Sequence, residues 1–329
     1  MSVEKSILED EFGPFWTPDQ SMSADLNTTD GFAAQFAALV WPTISNIVKS
    51  KTNSGTVVHL VWSDDDSLNA FAGAVSRSDR EYVIGINKGA IVKLQKLLQC
   101  PEFKSLVLPS FPILGKFGDN TITWFAIYAA LAWLLLHEFA HVARGHVGYL
   151  ARTSAPTVQH AIFEITLAAI PIVGLSEERR LCENDADTYA GRLVASVILH
   201  QVNSIIARYP NVSHDDIRSE LVTLTGCALH CLFRLFESAG AATSKFYPEP
   251  MIRCGIVNTQ FWLGMESYKA LKPMANIVNG FGIANDFCHR VGLGYAQYSV
   301  ADAYSKWSLD QLPRLQTFHQ DLDEYRIVR

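Results

Sequence analysis

The sequence of 329 residues has no excess of basic residues, few charged residues in total and no dense cysteine pattern. Its 27 Lys and Arg residues are outnumbered by 33 Asp and Glu residues, which gives a net charge of −6. A general nucleic-acid surface needs clustered Lys and Arg side chains, so this balance argues against one. Hydrophobic residues make up 49% of the chain, enough to bury a substantial core, and the composition does not resemble that of a disordered protein.

The six cysteines are scattered, without the regular spacing of a disulfide scaffold. Cys227 and Cys231 lie four residues apart in a predicted helix. A thiolate metal site there would need two more ligands, and the nearby sequence offers only His230, on another helix face. We therefore expect buried, reduced thiols.

The N-terminal residues also lack the basic and continuously apolar regions of a secretory signal, which predicts no export by that route. Two apolar stretches, Ile122 to Leu136 and Ala161 to Leu175, are each about 15 residues long, short of the roughly 20 that span a bilayer as a helix. We expect buried core helices and a cytoplasmic location. Membrane contact remains a less favoured alternative.

Hydrophobic periodicity predicts an α+β, mainly helical fold with a small antiparallel sheet before the motif-bearing helix. Residues up to Asp30 are predicted to form an irregular leader, and the segment between Cys100 and Asn120 a surface loop. The predicted strands are Thr56–Trp62, Asn69–Val75 and Glu81–Ile86; the predicted helices are Gly31–Lys51, Lys88–Leu98, Thr121–Tyr149, Ser176–Tyr209 and Asp215–Ser238. The predicted organisation is a leader and helix over 1–55, a core over 56–255 and a helical C-terminal region over 256–329.

One short motif gives the strongest indication of chemistry: His-Glu-Phe-Ala-His, from His137 to His141. Helix positions four apart differ by about 40° in azimuth, so the two histidines project from one face as imidazole ligands. Glu138 is turned by one residue, which places its carboxylate beside a metal-bound water and not on the metal. Burying these groups at the end of an apolar helix would be costly without a metal. The alternative is an exposed turn with no ligand role.

A catalytic zinc keeps three protein ligands and one open position, so a third ligand must come from elsewhere. A third histidine six residues beyond the motif is excluded, because that position holds Val147. We predict that Glu183, on a following helix, is this ligand. Asp187, one turn later, is predicted to accept a proton from a ligand histidine. The alternative for both residues is a solvated helix face.

His146 lies five residues beyond His141, roughly 140° round the helix axis. This position is unsuited to a metal ligand, and we predict that His146 caps the C-terminus of the helix.

With these residues the chain resembles the gluzincin peptidases of the HtpX, Oma and prenyl-protein-protease type, and is also similar to a soluble, Lit-like phage-exclusion branch. Those enzymes share a strand with Asn-Ala-Phe, a segment ending in Gly, H-E-x-x-H-x-x-x-x-H, a later E-x-x-x-D and a final His-Pro-x-x-x-x-Arg. The matching residues run from the strand Asn69, Ala70, Phe71 and Ala72 through Val83–Gly89, His137–His146 and Glu183 with Asp187 to Tyr247–Arg253.

The resemblance implies a zinc metallopeptidase. If the strand from Asn69 to Ala72 is a sheet edge near the cleft, it would hold an extended substrate by main-chain pairing. Tyr247 stands where the family has histidine. Tyr247 and Arg253 are the candidate donors of hydrogen bonds to the oxyanion, with a packing role as the alternative for Tyr247. A long insertion separates Gly89 from His137.

The sequence thus predicts a zinc-dependent endopeptidase that hydrolyses protein or peptide substrates, with zinc held by His137, His141 and Glu183 and with Glu138 as the general base. Two alternatives remain. One is a non-catalytic zinc-binding regulatory or interaction protein. The other is a membrane-associated quality-control protease.

Overall fold

The structure is a computed structural model that describes most of the chain as a mainly helical α+β protein. The described residues are 2–23, 25–52, 55–76, 78, 80–118, 120–153, 161–163, 176–239, 249–266, 273–296, 302, 305, 307–309, 311–323 and 325–326. In chain order the elements are α1 Ser2–Phe12, α2 Thr29–Lys51, β1 Val57–Ser63, β2 Ala70–Ala74, β3 Glu81–Asn87, α3 Lys88–Leu98, α4 Pro101–Leu106, α5 Thr121–Ala143, α6 His146–Thr153, β4 Ala161–Phe163, α7 Ser176–Arg208, α8 His214–Ser238, α9 Pro250–Glu266, α10 Pro273–Arg290 and α11 Leu312–Leu322.

The chain divides into two compact units whose boundaries differ from the predicted segments. The first contains Met1–Lys93, Leu134–Ala186 and Pro313–Arg329; the second contains Leu94–Trp133 and Asp187–Leu312. Both α5 and α7 contribute residues to each unit.

The sheet of the first unit is mixed, so the predicted antiparallel sheet is wrong. Its strand order is β1-β3-β2-β4, with β1 parallel to β3, and with β2 antiparallel to both β3 and β4. The β-branched and aromatic run of β1, and the turn residues that separate β2 from β3 in the sequence, were sufficient to predict each strand. They do not encode the pairing order, in which β3 inserts between β1 and β2.

In the second unit α8 packs closely against α9 and α10. Glycines permit this approach, because a Cβ atom at Gly280 would collide with the carbonyl oxygen of Thr223. Cys227 and Cys231 are buried on α8, and all six cysteines are free thiols, as predicted.

Two predicted irregular regions contain helices. The leader holds α1, and the proline-rich segment after Cys100 holds α4, which begins with Pro101 because proline suits the first turn of a helix. Residues 161–163, within the second apolar stretch, form β4 and not the expected helix; residues 164–175 lie outside the described part of the chain.

Four described helices are long and apolar enough to cross a membrane, by length and composition alone: Thr29–Lys51, Thr121–Ala143, Glu177–Arg208 and His214–Ser238. Helix α5 has 23 residues and is longer than the apolar run from which it was predicted; its most apolar window is 94% buried inside the protein. The cytoplasmic location stays a prediction.

The predicted helix from Thr121 to Tyr149 is broken in two at Gly145. Gly145 has φ of +84°, a conformation that favours glycine, and a Cβ atom there would lie 2.5 Å from the backbone of Tyr325. The turn ends α5 and starts α6 at His146. The prediction that His146 caps the C-terminus of a continuous helix is therefore wrong.

We expect Gly145→Ala to lower the free energy of unfolding by about 1–3 kcal/mol, because alanine is strained at positive φ and would collide with Tyr325. Gly148→Ala is the matched control: it lies inside α6, and its Cβ would be 3.5 Å from Tyr325, an ordinary contact. The control should be neutral or slightly stabilising. Urea unfolding, monitored by circular dichroism, measures the free energy of unfolding of both variants. Equal losses in the two variants would contradict the strain at Gly145.

Candidate metal centre

Three buried side chains from two helices meet at one point. His137 and His141 project from α5, and Glu183 projects from α7; none of the three is exposed to solvent. Their ligand atoms lie within 4.8 Å of one another, so the group could hold a metal ion. The structure thus brings together the three residues that the sequence predicted as ligands.

The spacing of these atoms suits a tetrahedral ion. The Nε2 atoms of His137 and His141 are 3.0 Å apart. The Glu183 carboxylate lies 3.2 Å from Nε2 of His137 and 3.6 Å from Nε2 of His141. Ligands bound at 2.0–2.1 Å in tetrahedral geometry lie roughly 3.4 Å apart, so a small ion fits with shifts of a few tenths of an ångström.

Hydrogen bonding alone satisfies these contacts poorly. Nε2 of His137 faces both a carboxylate oxygen and the Nε2 atom of His141. A ring nitrogen of histidine carries at most one hydrogen, so Nε2 of His137 would have to share a single N–H between Glu183 and His141. A cation at the centre is attractive to all three groups.

A chain of hydrogen bonds runs outward from His141. Nδ1 of His141 lies 3.0 Å from Nδ1 of His146, and Nε2 of His146 lies 3.0 Å from the Asp185 carboxylate. We assign the protons from this network: Nδ1–H of His141 donates to His146, and Nε2–H of His146 donates to Asp185. This arrangement leaves the lone pair of His141 Nε2 directed at the metal position.

The same proton assignment requires that His146 be neutral. Its ring is fully buried, and this burial lowers the pKa of His146 to about 4 against the opposing effect of Asp185. At neutral pH the imidazole therefore has one donor and one acceptor, as the chain requires.

Asp185 is held by three side chains. Arg144 donates two hydrogen bonds to it, of 2.8 Å to Oδ2 and 3.1 Å to Oδ1, and Nε2 of His319 on α11 lies 2.8 Å from Oδ1. Burial by itself would raise the pKa of Asp185, but the hydrogen bonds from His146 and His319 and the charge of Arg144 hold it well below its usual value. Asp185 is therefore a buried carboxylate that stays ionised.

Sequence reasoning missed the roles of His146 and Asp185. It treated α5 as continuing past Gly145, which would direct His146 away from His141. The turn at Gly145 redirects the chain and returns the His146 ring to Nδ1 of His141. The detectable signal was a glycine directly before a buried histidine.

Asp187 and Arg253 form a buried pair. Nε and Nη2 of Arg253 donate to the two carboxylate oxygens of Asp187 at 2.8 and 3.0 Å, and the guanidinium lies over the rings of Trp133 and Phe233. This geometry favours a positioning role for Arg253 over the predicted donation to an oxyanion. The predicted hydrogen bond from a ligand histidine to Asp187 stays a prediction.

Two other predicted roles have different outcomes. Tyr247 lies outside the described residues. The strand that contains Ala70, Phe71 and Ala72 is β2, and Asn69 directly precedes it. Because β2 pairs with β3 on one side and with β4 on the other, it is not an edge. The prediction that it binds substrate as an edge strand is therefore wrong.

Comparisons with known proteins identify no relative: no protein family, curated protein or solved structure matches the chain.

We expect metal binding to stabilise the protein. At a free Zn²⁺ concentration about a thousand times the dissociation constant, the free energy of unfolding should rise by about 4 kcal/mol over the chelator-treated protein. His137→Ala should abolish this increase, whereas His200→Ala, an exposed histidine on α7, should keep it. Urea unfolding with and without metal measures the difference. A wild-type protein that Zn²⁺ leaves unchanged would contradict the site.

We expect Asp185→Asn to weaken metal binding about 10- to 100-fold, because the chain that orients His141 loses its anionic end. Competition with a chromophoric chelator measures the affinity on protein shown to be folded. Asp215→Asn is the control, since the Asp215 side chain is 70% exposed and pairs with nearby Arg218. Wild-type affinity in Asp185→Asn would show that this chain does not orient the ligand.

Proposed function

We propose that the protein is a zinc-dependent endopeptidase of the zincin type, with zinc held by His137, His141 and Glu183. The observation that carries the proposal is the meeting of these three side chains with Glu138 buried on the same helical turn. The likeness of the motifs to the gluzincin peptidases supports it. A cytoplasmic location and a protein or peptide substrate are part of the same proposal.

The donor set favours zinc. Two imidazoles and one carboxylate match the ligands of catalytic zinc sites, whereas Ca²⁺ and Mg²⁺ prefer oxygen ligands alone. Within the described residues the group has three ligand side chains. A structural zinc site has four, so three ligands favour a centre with an open position for chemistry.

Bound zinc would lower the pKa of a water molecule and polarise a substrate carbonyl. The residues of the chain would do the rest. The carboxylate of Glu138 accepts the proton of the attacking water and delivers it to the leaving amine nitrogen. His146 and Asp185 keep His141 in the tautomer that leaves Nε2 free for the metal.

The burial of the site adds a condition to this proposal. His137, Glu138, His141 and Glu183 all have no solvent exposure. A peptide therefore reaches them only when the surrounding chain moves, as it does in enzymes whose segments close over the substrate. We infer that the resting protein is latent.

The decisive variant is Glu138→Gln, which keeps the size of the side chain and removes its ability to accept a proton. We expect it to bind Zn²⁺ with wild-type stoichiometry and to lose about 10²- to 10⁴-fold in peptide hydrolysis. Glu102→Gln, an exposed position on α4, is the matched control and should keep full activity.

Because the resting site is buried, two substrates are needed. Purified proteins are tested on unfolded casein, and new protein N-termini are mapped in cells that express either the wild type or Glu138→Gln. New N-termini that depend on Glu138 support the peptidase. If zinc binds but no cleavage in either assay depends on Glu138, the peptidase proposal fails and the non-catalytic zinc-binding alternative is favoured.

A further inference from the structure

A second feature of the first unit is an apolar pocket of about 440 Å³ that contains none of the metal ligands. It is lined by β1, by α1 and α2 and by the segment 15–20, and its walls include the indole rings of Trp16, Trp41 and Trp62. A volume of this size is within the range of ligand pockets in proteins.

The pocket lies at the outer edge of β1. Successive side chains of a strand alternate between the two faces of a sheet, so Leu60 and Trp62 share one face and His59 and Val61 share the other. All four line the pocket, which therefore extends around the strand from both faces. β1 is the terminal strand of the sheet and pairs with β3 alone among the named strands.

The backbone of Leu60 faces this outer edge. The N–H of Val57 bonds toward β3, at Arg80, whereas the carbonyl of Trp62 accepts from Trp16 on the opposite side. Backbone groups alternate in direction along a strand, so Leu60 shares the outward direction of Trp62. Among the described residues, neither the N–H nor the C=O of Leu60 has a partner on that side.

The N-terminal segment already pairs with this edge and then stops. Phe15 forms an antiparallel bridge with Ser63, with hydrogen bonds from Trp16 to Trp62 and from Asp64 to Pro14. In the same register, Pro18 would face Leu60. Proline has no N–H to donate, so the segment cannot continue the pairing. The outer edge of β1 therefore pairs with the N-terminal segment at Trp62 and Ser63, and within the described part of the chain its backbone is unpaired at Leu60.

The lining favours a peptide over an anionic small molecule. The polar side chains around the pocket are Thr17, Gln20 and His59, and His59 lies 3.3 Å from Glu81. Lys88 is 5.1 Å from the centre of the Trp16 ring, but it is paired with Asp64 at 3.6 Å. An apolar pocket beside unpaired backbone groups is the arrangement that binds an added strand.

We propose that the outer edge of β1 binds an extended segment of a partner protein, which pairs with the backbone of Leu60 and places a bulky apolar side chain in the pocket. The site does not depend on the metal centre or on peptidase activity. Main-chain hydrogen bonds supply affinity for any extended chain, and the aromatic walls select the side chain.

The probe is a fluorescein-labelled peptide with the sequence Thr-Val-Phe-Val-Thr, blocked at its N-terminus, measured by fluorescence anisotropy with the full-length protein. A peptide with Asp in place of Phe should bind at least about tenfold more weakly. Two further peptides carry N-methyl groups at even or at odd positions. The N–H groups of an extended peptide alternate in direction, so only one pattern should abolish binding.

The protein variants test the same contact. Leu60→Pro removes an N–H that points away from β3 and should weaken binding about tenfold more than Leu60→Ala does. Both variants lose the leucine side chain that lines the pocket, and Leu60→Ala keeps the N–H, so their difference reports the N–H alone. Ala37→Trp, on α2, fills the pocket and should also reduce binding; it replaces Leu60→Pro if that variant does not fold.

Loss of binding with one methylation pattern, together with loss in the proline or tryptophan variant, supports the proposal. Equal binding of both methylated peptides would mean that the pocket takes an apolar group without strand pairing, which overturns it. No binding of the parent peptide, or self-association of the protein through this edge instead, overturns it equally.

Discussion

The stability of the first unit depends on how the cost of burying the polar groups around His137, His141 and Glu183 is offset. Removing an ionised carboxylate from water costs several kcal/mol unless a partner compensates. Glu183 and the two imidazoles are without solvent exposure, and so are Glu138 and His146 nearby. This local structure is stable only if the attractions among its members, and to a bound cation, exceed the cost of desolvation.

Helix α7 carries three buried acidic residues within two turns; Glu183 and Asp185 belong to the first unit, and Asp187 belongs to the second. Glu183 faces the imidazoles of α5, Asp185 accepts from Arg144, His146 and His319, and Asp187 receives the guanidinium of Arg253. Each carboxylate has its own partners, so no two of them share a counter-charge in these contacts. A neutral substitution at any one would remove the acceptor of an imidazole or guanidinium in these contacts, which is expected to be destabilising.

Local spacing was enough to predict His137 and His141, because helical geometry determines which residues share a face. Glu183 lies on a different helix and was predicted from the need of a catalytic zinc for a third ligand. The individual strands and the long helices were also predictable from local spacing. The mixed sheet order was not, since pairing depends on contacts between distant segments. The role of His146 depended on one backbone turn at Gly145, and the pairing of Arg253 with Asp187 joins residues 66 positions apart. Sequence periodicity contains no information on either.

The buried position of the ligands also governs how the metal would enter and leave. Two ligands come from α5, and the third, Glu183, comes from α7, 46 residues after His137. The complete set therefore exists only after both helices have packed. An ion bound there has no direct path to water, and its exchange requires the opening of a packed region, which is slow compared with side-chain motion. The metal content of the mature protein would then follow changes in the surrounding ions only slowly, at the rate of this opening.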